Sequence, residues 1–222
     1  METKKDIEAI LSQERFARYL TWADGDHSRA LALYALNTQL SEALYTPLHM
    51  LEIALRNRIH TTMTVFHGER WFEITELVQI ETQRQVLVKA KEDLARDKKP
   101  PEPGRIVAAL TFSFWTSMFS PVYEQLWRNS LHRIAQREDK KSVRRKDLSS
   151  ALTPIRILRN RVAHHEPILA WDLRKHHDAI LRITGWLSPA AAAWTCRHSR
   201  FESVCPTERI FLGPKPQDFQ ES

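Results

Sequence analysis

A chain of 222 residues, 42% of them hydrophobic, can bury the core of one large domain or two small ones. Only five glycines stand against abundant Ala, Leu, Arg, Glu and Gln, which favours helix, while a net charge of +6 and a pI near 9.5 lean towards a polyanionic partner. No stretch approaches the roughly 20 uncharged apolar residues of a membrane span. The start, Met1 to Asp6, has no apolar leader, and Cys196, Cys205 and His198 do not form a metal-binding set. The expectation is therefore a cytoplasmic protein with ordinary thiols, no metal and no cofactor.

In chain order, Ile7, Ile10, Leu11 and Leu20 have helical spacing and predict a first amphipathic helix from about 6 to 23. Gly25-Asp26 breaks it, and Asp26 or Ser28 caps a second helix running towards Tyr45. Pro47 opens or kinks a third segment, whose stripe of Leu48, Leu51, Leu55 and Ile59 ends at His67-Gly68. A charged helix is predicted over 75–97, and the run Lys98 to Gly104 reads as a loop inside one domain. Two apolar helices follow, one over 106–118 and one from Pro121 to Ile134. Phe112, Phe114, Trp115 and Trp127 read as core, because their spacing matches an inward face.

The charged run 137–146 reads as a surface connection, with Arg144, Arg145 and Lys146 as candidate contacts to an RNA backbone. Asp147 or Ser149 caps the next helix, which carries Leu152, Ile155, Leu158 and Val162 and ends near Pro167. Helices over 172–187 and 189–194 complete the pattern. The expected organisation is one all-α domain over 1–196, a compact multi-helix bundle, followed by a loosely ordered tail over 197–222.

The chain has no Gly-rich phosphate loop, no Cys-x-x-Cys, no Gly-x-Ser-x-Gly and no His-Glu-x-x-His. What remains is a set of Arg, Asn and His placements. Arg159-Asn160-Arg161-Val162-Ala163-His164-His165 has the form Arg-Asn-x-x-x-His, which puts Asn160 and His164 one turn apart on a shared helix face. These residue types suit RNA cleavage. An imidazole titrates near neutrality and can take the 2′-OH proton or supply one to the leaving 5′-oxygen. A guanidinium fork can hold the phosphate and its extra transition-state charge, and Asn can orient either group. With 22 Arg and 10 His in the chain, about three Arg-x(4–6)-His matches arise by chance from composition alone. Arg56-Asn57-Arg58-Ile59-His60 and Arg128-Asn129-Ser130-Leu131-His132 repeat Arg-Asn-x-x-His, so spacing leaves three alternatives open.

The wider context separates them. Leu158 to Ile168 resembles the signature helix of Abi-like (abortive infection) proteins in the HEPN superfamily. Leu51 to Asn57 is similar to that family's early helix, Leu110 to Trp115 with Phe119 and Tyr123 to Trp127 to its aromatic middle, and Trp186 to Pro189 to its end. The matches keep their order over roughly residues 15 to 195. The resemblance implies an HEPN-like bundle that pairs as a homodimer and cleaves RNA without a metal in phage defence. By position it assigns phosphate stabilisation to Arg159, polar support to Asn160 and proton transfer to His164, with His165 as the second candidate. The expected products are a 2′,3′-cyclic phosphate and a 5′-hydroxyl. Arg156 and Arg161 join the basic residues above as expected RNA contacts, and Glu52 and Arg56 either complete the site or brace the bundle. The partners implied are RNA, a second copy, and an antitoxin or phage-derived trigger, with no membrane. A non-catalytic RNA-binding or protein-interaction module is the alternative outcome of the same resemblance.

Overall fold

The computed structural model describes residues 10, 11 and 13–213, and the predicted start of the first helix at 6–9 lies outside them. It is all-helical, and no strand occurs among the described residues. The first helix, α1, covers Gln13–Trp22. It leads into α2, His27–His67, a 41-residue helix about 60 Å long around which the rest is built. Asp26 caps α2 by accepting from the Arg29 N–H at 3.0 Å, and Gly68, at φ 85°, closes it.

Pro47 neither opens nor breaks this helix, contrary to the expectation of two segments. A proline costs an interior helix one backbone hydrogen bond and a local clash. Here Pro47 is buried between Leu44, Leu48 and Leu51, and their packing carries the helix through.

The remaining helices are α3 (Glu81–Arg96), α4 (Pro103–Ala109), α5 (Phe112–Ser117), α6 (Glu124–Asn129), α7 (Arg145–Ala163), α8 (Leu173–Leu187), α9 (Pro189–His198) and α10 (Phe201–Val204). Single 3₁₀ turns lie at Trp71–Glu73, Pro121–Tyr123 and Leu131–Ile134. Three predicted helices are shorter than periodicity suggested. The helix over 75–97 begins only at Glu81, because the N–H groups of Gln79 and Ile80 bond to the Tyr123 hydroxyl at 2.9 and 3.4 Å. That hydroxyl donates in turn to Gln83 Oε1 at 2.6 Å, so a buried phenol does the work of a cap. The 106–118 segment divides at Thr111, whose hydroxyl caps α5. The Pro121–Ile134 segment divides at Ser130, whose backbone leaves the helical region. Asp147 does stabilise the start of α7, but as the third helical residue in a capping box with Arg144.

The core runs along one face of α2 and into the aromatic middle. Trp71, Phe112, Phe114, Trp115, Phe119, Tyr123 and Trp127 are all buried, so the aromatics expected to be core are core. Residues 199–213 lie against the bundle. Phe201 is fully buried, Arg174 donates to the carbonyls of Cys205 and Pro206, and the Gly213 N–H bonds to the Trp22 carbonyl. Residues 214–222 lie outside the described part.

Beneath α10, the ring of His177 stacks on Phe201 at 4.2 Å with only 2% exposed, and neither nitrogen has a hydrogen-bond partner among the described residues. Burial pushes its pKa below the ordinary imidazole value, against an upward pull from Glu202 and Asp178. The folded state thus prefers neutral His177, and the unfolded chain takes up the proton first as pH falls. Stability is full above the unfolded-state value near 6.5 and declines as the pH drops below it. Thermal melts between pH 7.5 and 5 should show this decline, and His177→Phe should flatten it; an unchanged slope in that variant would refute the assignment.

Candidate active site

Of the three Arg-Asn-His arrangements, the first is committed to holding the fold and the second is engaged in local contacts. In the first, His60 Nδ1 accepts from the indole N–H of buried Trp71 at 3.1 Å, and burial lowers the His60 pKa. The Arg58 guanidinium donates to the carbonyls of Arg133 and Ile134, which pins the third 3₁₀ turn to α2. In the second, the break at Ser130 ends the helix between Asn129 and His132. There Arg128 pairs with Glu124, Asn129 accepts from Gln125, and His132 lies 3.2 Å from the Trp127 carbonyl.

The third arrangement is the C-terminal end of α7, and it faces solvent. Leu152, Ile155 and Leu158 bury one side of this helix, leaving Arg156, Ile157, Asn160 and His164 on the other. Arg159, half-buried, reaches Glu52 on α2 at 3.3 Å. That contact uses one guanidinium nitrogen and leaves the rest of the fork available. Glu52 therefore meets the motif, whereas Arg56, one turn further along α2, donates to the Asn57 side chain. Arg156 makes no hydrogen bond or ion pair among the described residues.

His164 is the C-cap of α7, its N–H bonded to the Asn160 carbonyl at 2.9 Å. Its imidazole is exposed and has no hydrogen-bond partner among the described residues. The chain then leaves through a Schellman closure, with Glu166 N–H to Arg161 O at 2.8 Å and His165 N–H to Val162 O at 3.2 Å. His165 takes the left-handed position of that motif, at φ 57°, where glycine is the usual occupant. His165→Gly should raise stability by up to about 1 kcal/mol, read as a higher melting temperature. A lower melting temperature would show that the imidazole itself supports the turn.

Arg161 locks the segment after the turn. It donates to the Pro167 carbonyl at 3.0 Å, approaches Glu166 at 3.7 Å and lies over the Trp171 ring at 5.5 Å. Sequence reasoning missed Asn37, which is 4% exposed and whose side-chain oxygen accepts from the buried Ile168 N–H at 2.8 Å. This bond ties the exit of the motif turn to α2. The available signal was a lone polar residue in the apolar series Leu33, Asn37, Leu40, Leu44.

The basic run at the start of α7 lies about 27 Å from His164 along the helix. Arg144 pairs with Asp147. Arg145, 14% exposed, pairs with Glu124 at 2.6 Å and donates to the Phe119 carbonyl, and its guanidinium holds the Glu124 carboxyl below the usual carboxylate range. Lys146 is exposed. A groove lined by Trp171, Arg174, Cys205 and Phe211 among others includes neither Arg159, Asn160 nor His164. Among the described residues, no group of three or more His, Cys, Asp or Glu side chains is arranged to hold a metal, and no helix is long and apolar enough to cross a membrane.

Fold and site together define an all-α bundle carrying a polar Arg-Asn-His face on a helix terminus. The sequence pattern of the family described as Abi-like protein matches residues 11–170, and the chain belongs to that family. No curated protein and no solved structure matches it.

Proposed function

We propose that this chain is a metal-independent RNA endonuclease of the HEPN type, acting in abortive infection as a homodimer. The observation that carries the reading is the exposed end of α7. Of three similar motifs, this one alone leaves its imidazole facing solvent without a structural partner among the described residues, beside an arginine braced by Glu52.

In this reaction the ribose 2′-oxygen attacks the adjacent phosphorus as an imidazole takes its proton. The bond from phosphorus to the 5′-oxygen breaks, and that oxygen takes a proton from the acid. The products are a 2′,3′-cyclic phosphate and a 5′-hydroxyl. Arg159 stabilises the charge that builds on the non-bridging oxygens, Asn160 orients the phosphate, and His164 transfers a proton. No metal is needed, because the nucleophile belongs to the substrate.

Two features favour a second copy. A single His164 supplies either the base or the acid at one moment, and a two-fold pairing of the α7 ends supplies both. An open face also needs a second wall to exclude water, and Ile157, 42% exposed between Arg156 and Asn160, offers apolar surface for it.

The test incubates the purified protein with single-stranded and structured RNA in EDTA and identifies the product ends. Cyclic phosphate ends that disappear with Arg159→Ala and His164→Ala support the reading. Cutting that requires added metal would overturn it. Salt-sensitive binding with no cleavage would point to an RNA-binding module instead.

A further inference from the structure

The basic run 137–146 is partly spent within the fold, because Arg144 and Arg145 pair with Asp147 and Glu124. Its first residues are placed differently. The Gln136 N–H bonds to the Trp186 carbonyl, in the last turn of α8, at 2.8 Å. The Lys140 N–H closes a turn on the Arg137 carbonyl at 3.0 Å. These bonds hold Arg137 against α8, where its guanidinium lies over the Trp186 ring, 5.6 Å from the centroid. Arg182, one turn before Trp186 on α8, lies over the same ring at 5.9 Å.

Two like charges around one half-buried indole repel each other, and covering that ring needs only one of them. The ring gives each cation a π face but no hydrogen-bond acceptor, so the guanidinium N–H groups stay available. Arg137 turns one edge to Asp139 at 3.4 Å, a carboxylate it shares with Lys141 at 3.3 Å. Arg182 is exposed and makes no hydrogen bond or ion pair among the described residues. Asp178, one turn before it on α8, does not pair with it. The exposed Lys140 adds a further cation on the adjoining turn.

The cluster belongs to the opposite end of α7 from the motif. A side-chain hydrogen bond from Arg144, and more weakly the charge of Arg137, hold the Asp147 carboxyl below the usual carboxylate range. Arg137 therefore stands near the first turn of α7, and His164 closes that helix about 25 Å further along its axis.

We infer that Arg137 and Arg182, gathered on the Trp186 ring, form a binding site for phosphodiester groups of a nucleic-acid backbone, separate from the cleavage motif. Guanidinium forks match the oxygens of a phosphate, and two of them side by side suit a chain of such groups better than a lone anion. Contacts of this kind fix the position of a strand and read no sequence. The site stands apart from the nuclease reading, since a strand held there is bound whether or not it is cut.

The experiment measures binding of a mixed-sequence 20-nucleotide RNA to the full chain over a series of salt concentrations, in EDTA, with His164→Ala throughout to prevent turnover. Arg137→Gln and Arg182→Gln should each reduce the slope of log affinity against log salt by about 1, and the double variant by about 2. Arg182→Lys keeps the charge and should keep the slope. Arg182→Gln should melt with the parent, because its side chain is exposed and unpaired among the described residues. An unchanged slope in the double variant overturns the site and leaves the nuclease reading standing. Inorganic phosphate that shifts the Trp186 indole N–H resonance, beside an RNA slope unchanged by the double variant, makes this a site for the free ion and also overturns the proposal. RNA binding that weakens in the double variant, in a chain that cuts no RNA when His164 is restored, upholds the site and removes the nuclease reading. If the parent binds no RNA at any salt concentration, both fall.

Discussion

His164→Ala is expected to lower the rate of RNA cleavage by about 10²–10⁴-fold, the usual loss when a positioned acid or base is removed. The same variant should unfold within about 0.5 kcal/mol of the parent, because the imidazole is exposed and makes no hydrogen bond among the described residues. That separation of activity from stability is the informative part. Arg159→Ala should also abolish cleavage but with some loss of stability, since it leaves the half-buried Glu52 carboxylate without its partner. Arg159→Lys keeps the charge and loses the planar fork, so it should recover little of the rate. Rates measured with a fluorescent single-stranded RNA, beside melts of each variant, decide the matter. Cleavage retained in His164→Ala and lost in His165→Ala would transfer the role to the strained neighbour.

Asn37→Leu should cost about 1–3 kcal/mol of stability. The substitution keeps the branching and the number of side-chain heavy atoms of Asn, and its main loss is one hydrogen bond: the Ile168 N–H, in a fully buried residue, is left without an acceptor. Denaturant unfolding gives the number directly. Cleavage should fall as well, by more than the stability loss alone explains, because the lost bond is the tie between α2 and the exit of the motif turn. Small displacements of a catalytic group cost rate steeply. An unchanged unfolding midpoint would mean that the N–H finds water, and that α7 is positioned by the Glu52–Arg159 contact alone.

Local rules read much of the fold correctly. Asp26, Gly68 and Asp172 mark helix ends as expected, because capping depends on side chains within three or four residues. The aromatic middle was legible as core for the same reason, since helical spacing places Phe112 and Trp115 on one inward face. The errors have a common cause. By local rules Pro47 opens or kinks a segment, but one helix runs through it, with Pro47 itself buried in the core. The start of α3 was placed too early, since the groups that cap it belong to Tyr123, more than forty residues away.

The site divides in the same way. Composition and periodicity determined the helical class, and the order of short motifs pointed to the Abi-like family, which the match over residues 11–170 bears out. Spacing also put Asn160 and His164 on one face of one helix. Which of three similar motifs leaves its imidazole without a partner among the described residues was decided only by the tertiary structure. The partners that occupy His60 and Arg58, the brace from Glu52 and the tie from Asn37 come from positions between eleven and 131 residues away. Helix formation and capping are set by neighbours a turn apart. Whether a polar side chain faces solvent or is already engaged depends on which distant segments pack against it.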